Sequence, residues 1–195
     1  MRKIIIVTGG IGAGKSVVCR EFAKLGAAVI EGDKAGHKCL APDGTAYSEV
    51  VAEFGEEILD SDGTISRDKL GRIAFANRDN LERLNAATHK HILREIVDSI
   101  DKIEDCDIIV LEIPLFRAVD FEYDAAVCVI ADEESRVERV VERSGLSVDA
   151  ITSIMSMQPP SEEYRSFADY CVENDGDVEA LLYRAREVYE KIVKD

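Results

Sequence analysis

The run Thr8-Gly9-Gly10-Ile11-Gly12-Ala13-Gly14-Lys15-Ser16 holds the residues of this chain best suited to chemistry. A lysine and a serine directly behind spaced glycines can bind phosphate, because glycines let backbone N–H groups converge on anionic oxygens with no Cβ in the path. On this reading Gly10, Ile11, Gly12, Ala13, Gly14, Lys15, Ser16 and Val17 cradle the phosphates of a nucleotide. Lys15 neutralises the β and γ groups, and the Ser16 hydroxyl holds Mg²⁺. A dinucleotide-binding turn is disfavoured, since Lys15 and Ser16 stand where such a turn continues to its third glycine.

Two further constellations supply what phosphoryl chemistry needs. Asp33 follows the apolar run Ala27-Ala28-Val29-Ile30, and a residue there faces the same sheet edge as the phosphate loop. Its carboxylate either accepts the proton of an attacking hydroxyl or caps a helix starting at Lys34, and the residues alone leave both readings open. Arg136, Arg139 and Arg143 are spaced i, i+3 and i+7, while Glu134, Glu138 and Glu142 form a second stripe and Val137, Val140 and Val141 a third. Collecting like charges on one face costs about 0.2–0.5 kcal/mol per i,i+4 pair. The arginine stripe therefore reads as an anion site on a helical lid that closes over phosphates and excludes water, with a solvated charged helix as the plain alternative. His37, His89 and His91 have no partners at metal-ligand spacing.

These groups need a frame to hold them. Short apolar runs at 3–7, 27–30, 107–112, 125–131 and 170–173 read as buried strands, and helical spacing fills the gaps between them. The alternation predicts an α/β fold: a parallel five-stranded sheet, helices on both faces, and ligands at the carboxyl edge of the strands. The stretch 33–106 is far longer than a crossover connection requires and reads as several helices forming a substrate-binding insertion. Within it, 46–54 and the long amphipathic run 79–103 are the clearest helices, and Asp60-Ser61-Asp62-Gly63 is turn chemistry. Pro159-Pro160 separates a helix at 148–157 from a short one after it.

A length of 195 residues suits one domain with insertions, and the formal charge of −15 argues against nucleic acid or an anionic membrane as partner. An anionic substrate must then be held by local cations. Five scattered cysteines without Cys-x-x-Cys spacing imply reduced thiols that serve packing. Apolar runs are too short for a membrane helix or a secretory segment, so a cytoplasmic protein is expected, a monomer or a small homo-oligomer.

With these pieces in order, the sequence resembles the dephospho-coenzyme A kinase family over nearly its whole length. The phosphate loop, Val29-Ile30-Glu31-Gly32-Asp33, Phe54-Gly55 to Ile58, Asp62 to Arg67, Leu84-Asn85, His89, the lid arginines, Gln158-Pro159, Ala168-Asp169 and Asn174-Asp175-Gly176 carry the likeness. The resemblance implies a P-loop fold over 1–195 with an insertion at about 34–104 and a lid at about 132–158. It also implies transfer of the γ-phosphate of ATP, with Mg²⁺, to the ribose 3′-hydroxyl of dephospho-coenzyme A. By the same resemblance Asp33 is the base, Lys15, Arg136 and Arg139 serve catalysis, and Arg143 and Asn174 lie on the ATP side. Asp33, His89, Pro114 and Leu115 lie on the acceptor side. Three places depart from the family's usual pattern. Glu31-Gly32-Asp33 replaces Asp-Ala-Asp, Pro114-Leu115-Phe116-Arg117 is a shortened form of Pro-Leu-Leu-Phe-Glu, and His89-Lys90 replaces His-Pro. Another small-molecule or nucleoside-monophosphate kinase, or a nucleotide-binding regulatory paralogue, remains an alternative. A GTP switch is disfavoured, since no Asn-Lys-x-Asp run occurs.

Overall fold

Among the described residues five strands form, each close to its expected place; the three central ones are β-branched runs buried on both faces, and the two edge strands are only partly buried. The computed structural model describes residues 2–114 and 121–194. The strands are β1 Lys3–Thr8, β2 Ala28–Glu31, β3 Ile108–Glu112, β4 Ala125–Ile130 and β5 Tyr170–Glu173. They pair in the order β2-β3-β1-β4-β5, and every pairing is parallel. The two edge strands have four residues each, which limits the unpaired backbone offered to other chains.

Contacts divide the chain into two compact units, residues 1–31 with 103–195 and residues 32–102. The first holds the whole sheet. Ile5, Val7, Val127 and Val129 pack with Val18 and Phe22 of helix α1 (Lys15–Lys24) and with Leu181, Val188 and Ile192 of the C-terminal helix, Val178–Lys194. Phe22 and Tyr189 meet with ring centroids 5.1 Å apart. Cys128 and Ile130 cluster instead with Tyr164 of the helix Ser161–Phe167. The pair Glu133–Ser144 and Val148–Met157 completes this unit, separated by a left-handed Gly145 and capped by Asp132 and Ser147.

The second unit is helical: α2 (Gly32–Cys39), α3 (Tyr47–Phe54), a 3-10 turn at Glu56–Ile58, α4 (Arg67–Ala74) and α5 (Arg78–Asp101). Numbering on from there, α6 is Glu133–Ser144, α7 Val148–Met157, α8 Ser161–Phe167 and α9 Val178–Lys194. The core of the second unit is Cys39, Val50, Phe54, Ile58 and Leu70, with Leu84 and Ile92 of α5 laid against it. Two details differ from expectation. α4 was not foreseen, because Arg67–Ala74 places only Leu70 and Ala74 in the core and its pattern is short. α2 begins at Gly32 directly after β2, so Asp33 lies inside the first helical turn and is not the cap of a helix starting at Lys34.

Candidate functional site

The phosphate loop links Thr8, the last residue of β1, to Lys15, the first of α1. Gly14 occupies the N-cap position with φ 106° and makes no side-chain cap bond, and a helix N-terminus of this kind favours an anion. A Cβ at Gly14 would sit 2.5 Å from Asn174 Nδ2, and one at Gly12 (φ 76°) would sit 2.5 Å from the Arg136 carbonyl oxygen. The glycines thus admit side chains and backbone from distant segments as well as phosphate.

Those segments brace the loop from beneath. Asn174 donates from Nδ2 to the Ala13 carbonyl at 2.8 Å, and its own N–H donates to Ile130 O at 2.7 Å. The Ile11 peptide is gripped on both sides: its N–H donates to Gln158 Oε1 at 2.8 Å, and its carbonyl accepts from Arg136 Nε at 2.8 Å. Arg136 and Gln158 lie near opposite ends of the α6–α7 pair, so both ends of that pair are tied to one residue of the loop. Arg136 is 7% exposed, and burial holds its pKa below the usual guanidinium value. Lys15 Nζ donates to the carbonyls of Gly9 at 2.9 Å and Gly10 at 3.2 Å.

Above the loop lies a cavity of about 300 Å³ onto which Lys15, Ser16, Arg20, Glu112, Arg139 and Arg143 converge. A second cavity of about 290 Å³ shares Ser16, Arg20 and Glu112 and adds Glu31 and Cys19. Glu31 and Glu112 are register partners at the carboxyl ends of β2 and β3. Burial raises the Cys19 thiol well above its ordinary value, and the negative charge of Glu112 adds to the rise, so this cysteine is not a nucleophile. Arg139 donates from Nη2 to Asn174 O at 3.2 Å, while its Nη1 is buried with no hydrogen-bond partner among the described residues.

The structure therefore gathers Gly12, Gly14, Lys15, Ser16, Val17, Arg139 and Arg143 around one cavity. Gly10, Ile11, Ala13, Arg136 and Asn174 belong to the loop and its bracing, with the Arg136 guanidinium engaged on Ile11. Asp33 and His89 belong to the 32–102 unit. Asp33 is exposed on α2, and His89 Nε2 on α5 is buried with no hydrogen-bond partner among the described residues. The Pro114 carbonyl accepts from Tyr164 Oη at 3.2 Å, whereas Leu115, with Phe116 and Arg117, lies outside the described residues. Three participants escaped the sequence reading. Glu112 had a usable signal, an acid closing the apolar run Ile108 to Leu111 at the ligand-bearing edge. Arg20 had a weaker one, four residues after Ser16 and so on the same face of α1. Gln158 was quoted only as part of the resemblance, and nothing local marks it as a brace.

Among the described residues, no three His, Cys, Asp or Glu side chains gather in a way that could hold a metal ion by themselves, and no helix is long and apolar enough to cross a membrane.

A parallel sheet of this order, with a glycine-rich loop between β1 and α1 and with Lys15, Ser16 and arginines around one cavity, defines a P-loop kinase. The chain belongs to the dephospho-CoA kinase family, whose sequence pattern matches residues 3–180. It is an enzyme of the final step of coenzyme A synthesis, and membership of a kinase family implies ATP as a substrate. It is 37% identical to the dephospho-CoA kinase of Carboxydothermus hydrogenoformans, over 96% of this chain and 93% of that one. It is 34% identical to that of Aquifex aeolicus, over 99% of both. The solved dephospho-CoA kinase of Campylobacter jejuni superposes with a TM-score of 0.67 at 27% identity, covering 100% of this chain and 98% of that one. A shikimate kinase from Acinetobacter baumannii, at 14% identity and TM-score 0.58 over 100% of this chain and 94% of that one, shares the fold.

Proposed function

We propose that the two units divide the reaction between them: the sheet unit holds MgATP, and the 32–102 unit holds dephospho-coenzyme A. The observation that carries this reading is the convergence of Lys15, Ser16, Glu112, Arg139 and Arg143 on one cavity over an uncapped helix N-terminus. Preorganised donors aimed at phosphate oxygens are the main contribution a protein makes to phosphoryl transfer.

In this mechanism the amides of the loop and the Lys15 ammonium hold the β- and γ-phosphates. Arg139 and Arg143, on the α6–α7 lid, face the charge that spreads over the transferring group, and Arg136 keeps the loop in shape. Asp33 accepts the proton of the acceptor's 3′-hydroxyl as that oxygen bonds to the γ-phosphorus. The bond between the γ-phosphorus and the bridging oxygen breaks, and ADP leaves with the electron pair. Mg²⁺ suits the oxygen donors at hand, the Ser16 hydroxyl and the carboxylates of Glu112 and Glu31, and when bound it would neutralise phosphate charge. One or two protein ligands suffice for this ion, which keeps water and substrate oxygens in its remaining positions. The surroundings in which this chemistry belongs are the reducing ones of the cytoplasm, consistent with five free cysteines.

The test is a coupled ADP-release assay with MgATP and a panel of acceptors: dephospho-coenzyme A, nucleoside monophosphates, pantothenate, and none. Turnover with dephospho-coenzyme A alone is expected. Turnover only with another acceptor would keep the P-loop chemistry and discard the assignment of the substrate.

A further inference from the structure

A cleft within the 32–102 unit lies apart from the residues assigned to phosphoryl transfer. It encloses about 180 Å³, with Leu40, Pro42 and Ile65 as an apolar wall and His37, Thr64 and Arg67 at its polar side. Arg67, the first residue of α4, is exposed and makes no hydrogen bond or ion pair among the described residues. Its neighbours on that helix are engaged: Lys69 pairs with Asp60 at 3.0 Å and Arg72 with Asp68 at 2.6 Å. The Thr64 hydroxyl donates to Asp62 at 2.7 Å, which leaves the Arg67 guanidinium as the strong donor at this cleft.

The cleft is placed with respect to Asp33 by α2 itself. Asp33 and His37 are four residues apart on that helix, and so share a face about one turn apart, about 5.4 Å along the axis. His37 is influenced from both sides: burial lowers its pKa, the charge of Arg67 lowers it further, and Asp33 raises it. Asp33, His37 and Arg67 thus form one electrostatic group inside a single compact unit.

The acceptor's own chemistry supplies the matching ruler. Its 3′-hydroxyl and its 5′-phosphate stand at opposite ends of one ribose ring, a span comparable to a helical turn. With the hydroxyl at Asp33, the 5′-diphosphate falls at the level of His37 and Arg67, and the chain beyond it reaches the apolar wall. We propose that Arg67 binds the 5′-diphosphate of the acceptor, and that the wall formed by Leu40, Pro42 and Ile65 receives the chain attached to it. The site is therefore selective for a nucleoside diphosphate ester whose extension begins with apolar carbons. A guanidinium presents its donors in a planar fork that fits two phosphate oxygens, and in a chain of net charge −15 such a polyanion needs a local cation. This assignment rests on the reading of Asp33 as the base.

The experiment uses the full chain in steady-state kinetics, comparing wild type with Arg67→Ala, Arg67→Gln and Arg67→Lys. Both neutral variants should raise the KM for dephospho-coenzyme A by about tenfold to a hundredfold, the range of one charge-assisted hydrogen bond. They should leave the KM for ATP unchanged, and Arg67→Lys should recover part of the loss. Adenosine, which carries base and ribose without the diphosphate, should compete with the acceptor equally well against wild type and variants. An unchanged KM for dephospho-coenzyme A in a wild type that turns it over would overturn the subsite alone, as would an equal loss with adenosine. A wild type that does not phosphorylate dephospho-coenzyme A would instead overturn the functional reading beneath it.

Discussion

The phosphate loop and the Arg67 cleft both offer cations to an anion, and they differ in how many of those cations the protein itself holds. Around the loop three cations are tied to protein before any ligand arrives, Arg136 to the Ile11 carbonyl, Lys15 to Gly9 and Gly10, and Arg139 to Asn174, while Arg20 and Arg143 are exposed. Arg67 is exposed and holds no partner among the described residues, whereas Lys38, Lys69, Arg72, Arg83 and Lys90 of the same unit are each paired with a carboxylate. A group fixed in advance loses little entropy on binding and can stabilise a transition state without reorganising. An exposed side chain without a protein partner adapts to the ligand but must be ordered by it. The difference suits a phosphoryl donor that must be aligned in-line and an acceptor that must be captured and let go.

Mutations can break this comparison at its strongest point first. Lys15→Ala should abolish detectable turnover and ATP binding, because both the loop carbonyls and the phosphates lose their cation. Retained ATP affinity in calorimetry would mean the loop is not the donor site. Asp33→Asn should lower kcat by about 10²–10⁴, the range of general-base loss, with ATP affinity kept. Near-normal turnover would return Asp33 to a structural role in the first turn of α2.

The next effect tests the frame under the loop. Glu21 on α1 is 2% exposed and is paired with Lys24 at 2.9 Å and with Arg186 of α9 at 2.5 Å. Hydrogen bonds from Lys24 first, and then from Arg186, hold its carboxyl below the ordinary value of 4.5. A depressed carboxyl contributes stability that is full above its unfolded-state pKa and is lost as pH falls through the folded one. Glu21→Gln should therefore destabilise the protein by about 1–3 kcal/mol at neutral pH. In urea titrations across a pH series, the gap to wild type should close as pH drops below the ordinary glutamate value. A gap that stays constant with pH would show that packing, and not charge, sets the contribution of Glu21.

The smallest effect sharpens the contrast. Gln158→Ala removes the acceptor of the Ile11 N–H, a net loss of about 1 kcal/mol, or about fivefold in the KM for ATP. The KM for dephospho-coenzyme A should not move. Equal changes in both constants would mean that the α6–α7 pair influences more than the donor phosphates.

How far the sequence could be read depended on the range of the contacts involved. The strands were legible because each is a local apolar run, and only their ends shifted, as when β1 extended to Thr8 and β2 began at Ala28. The loop was legible for the same reason, since glycines, lysine and serine are contiguous. Glu112 and Arg20 were not singled out, because each joins the cavity only when the sheet edge and α1 are assembled. The three arginines looked equivalent by spacing, yet one is pinned beneath the loop and two line the cavity.

By itself the sequence determined the parallel α/β frame, the phosphate loop and the likeness to a kinase family, because each is written in neighbouring residues or in the order of short motifs. Only the tertiary structure decided that Ile11 is held by Arg136 from 125 residues away and by Gln158 from 147 residues away. It alone separated Arg136 from Arg139 and Arg143, and it alone put Glu112 beside Ser16. The physical reason is that hydrogen bonds and shared cavities of this kind depend on where the chain returns in space, which local periodicity does not encode.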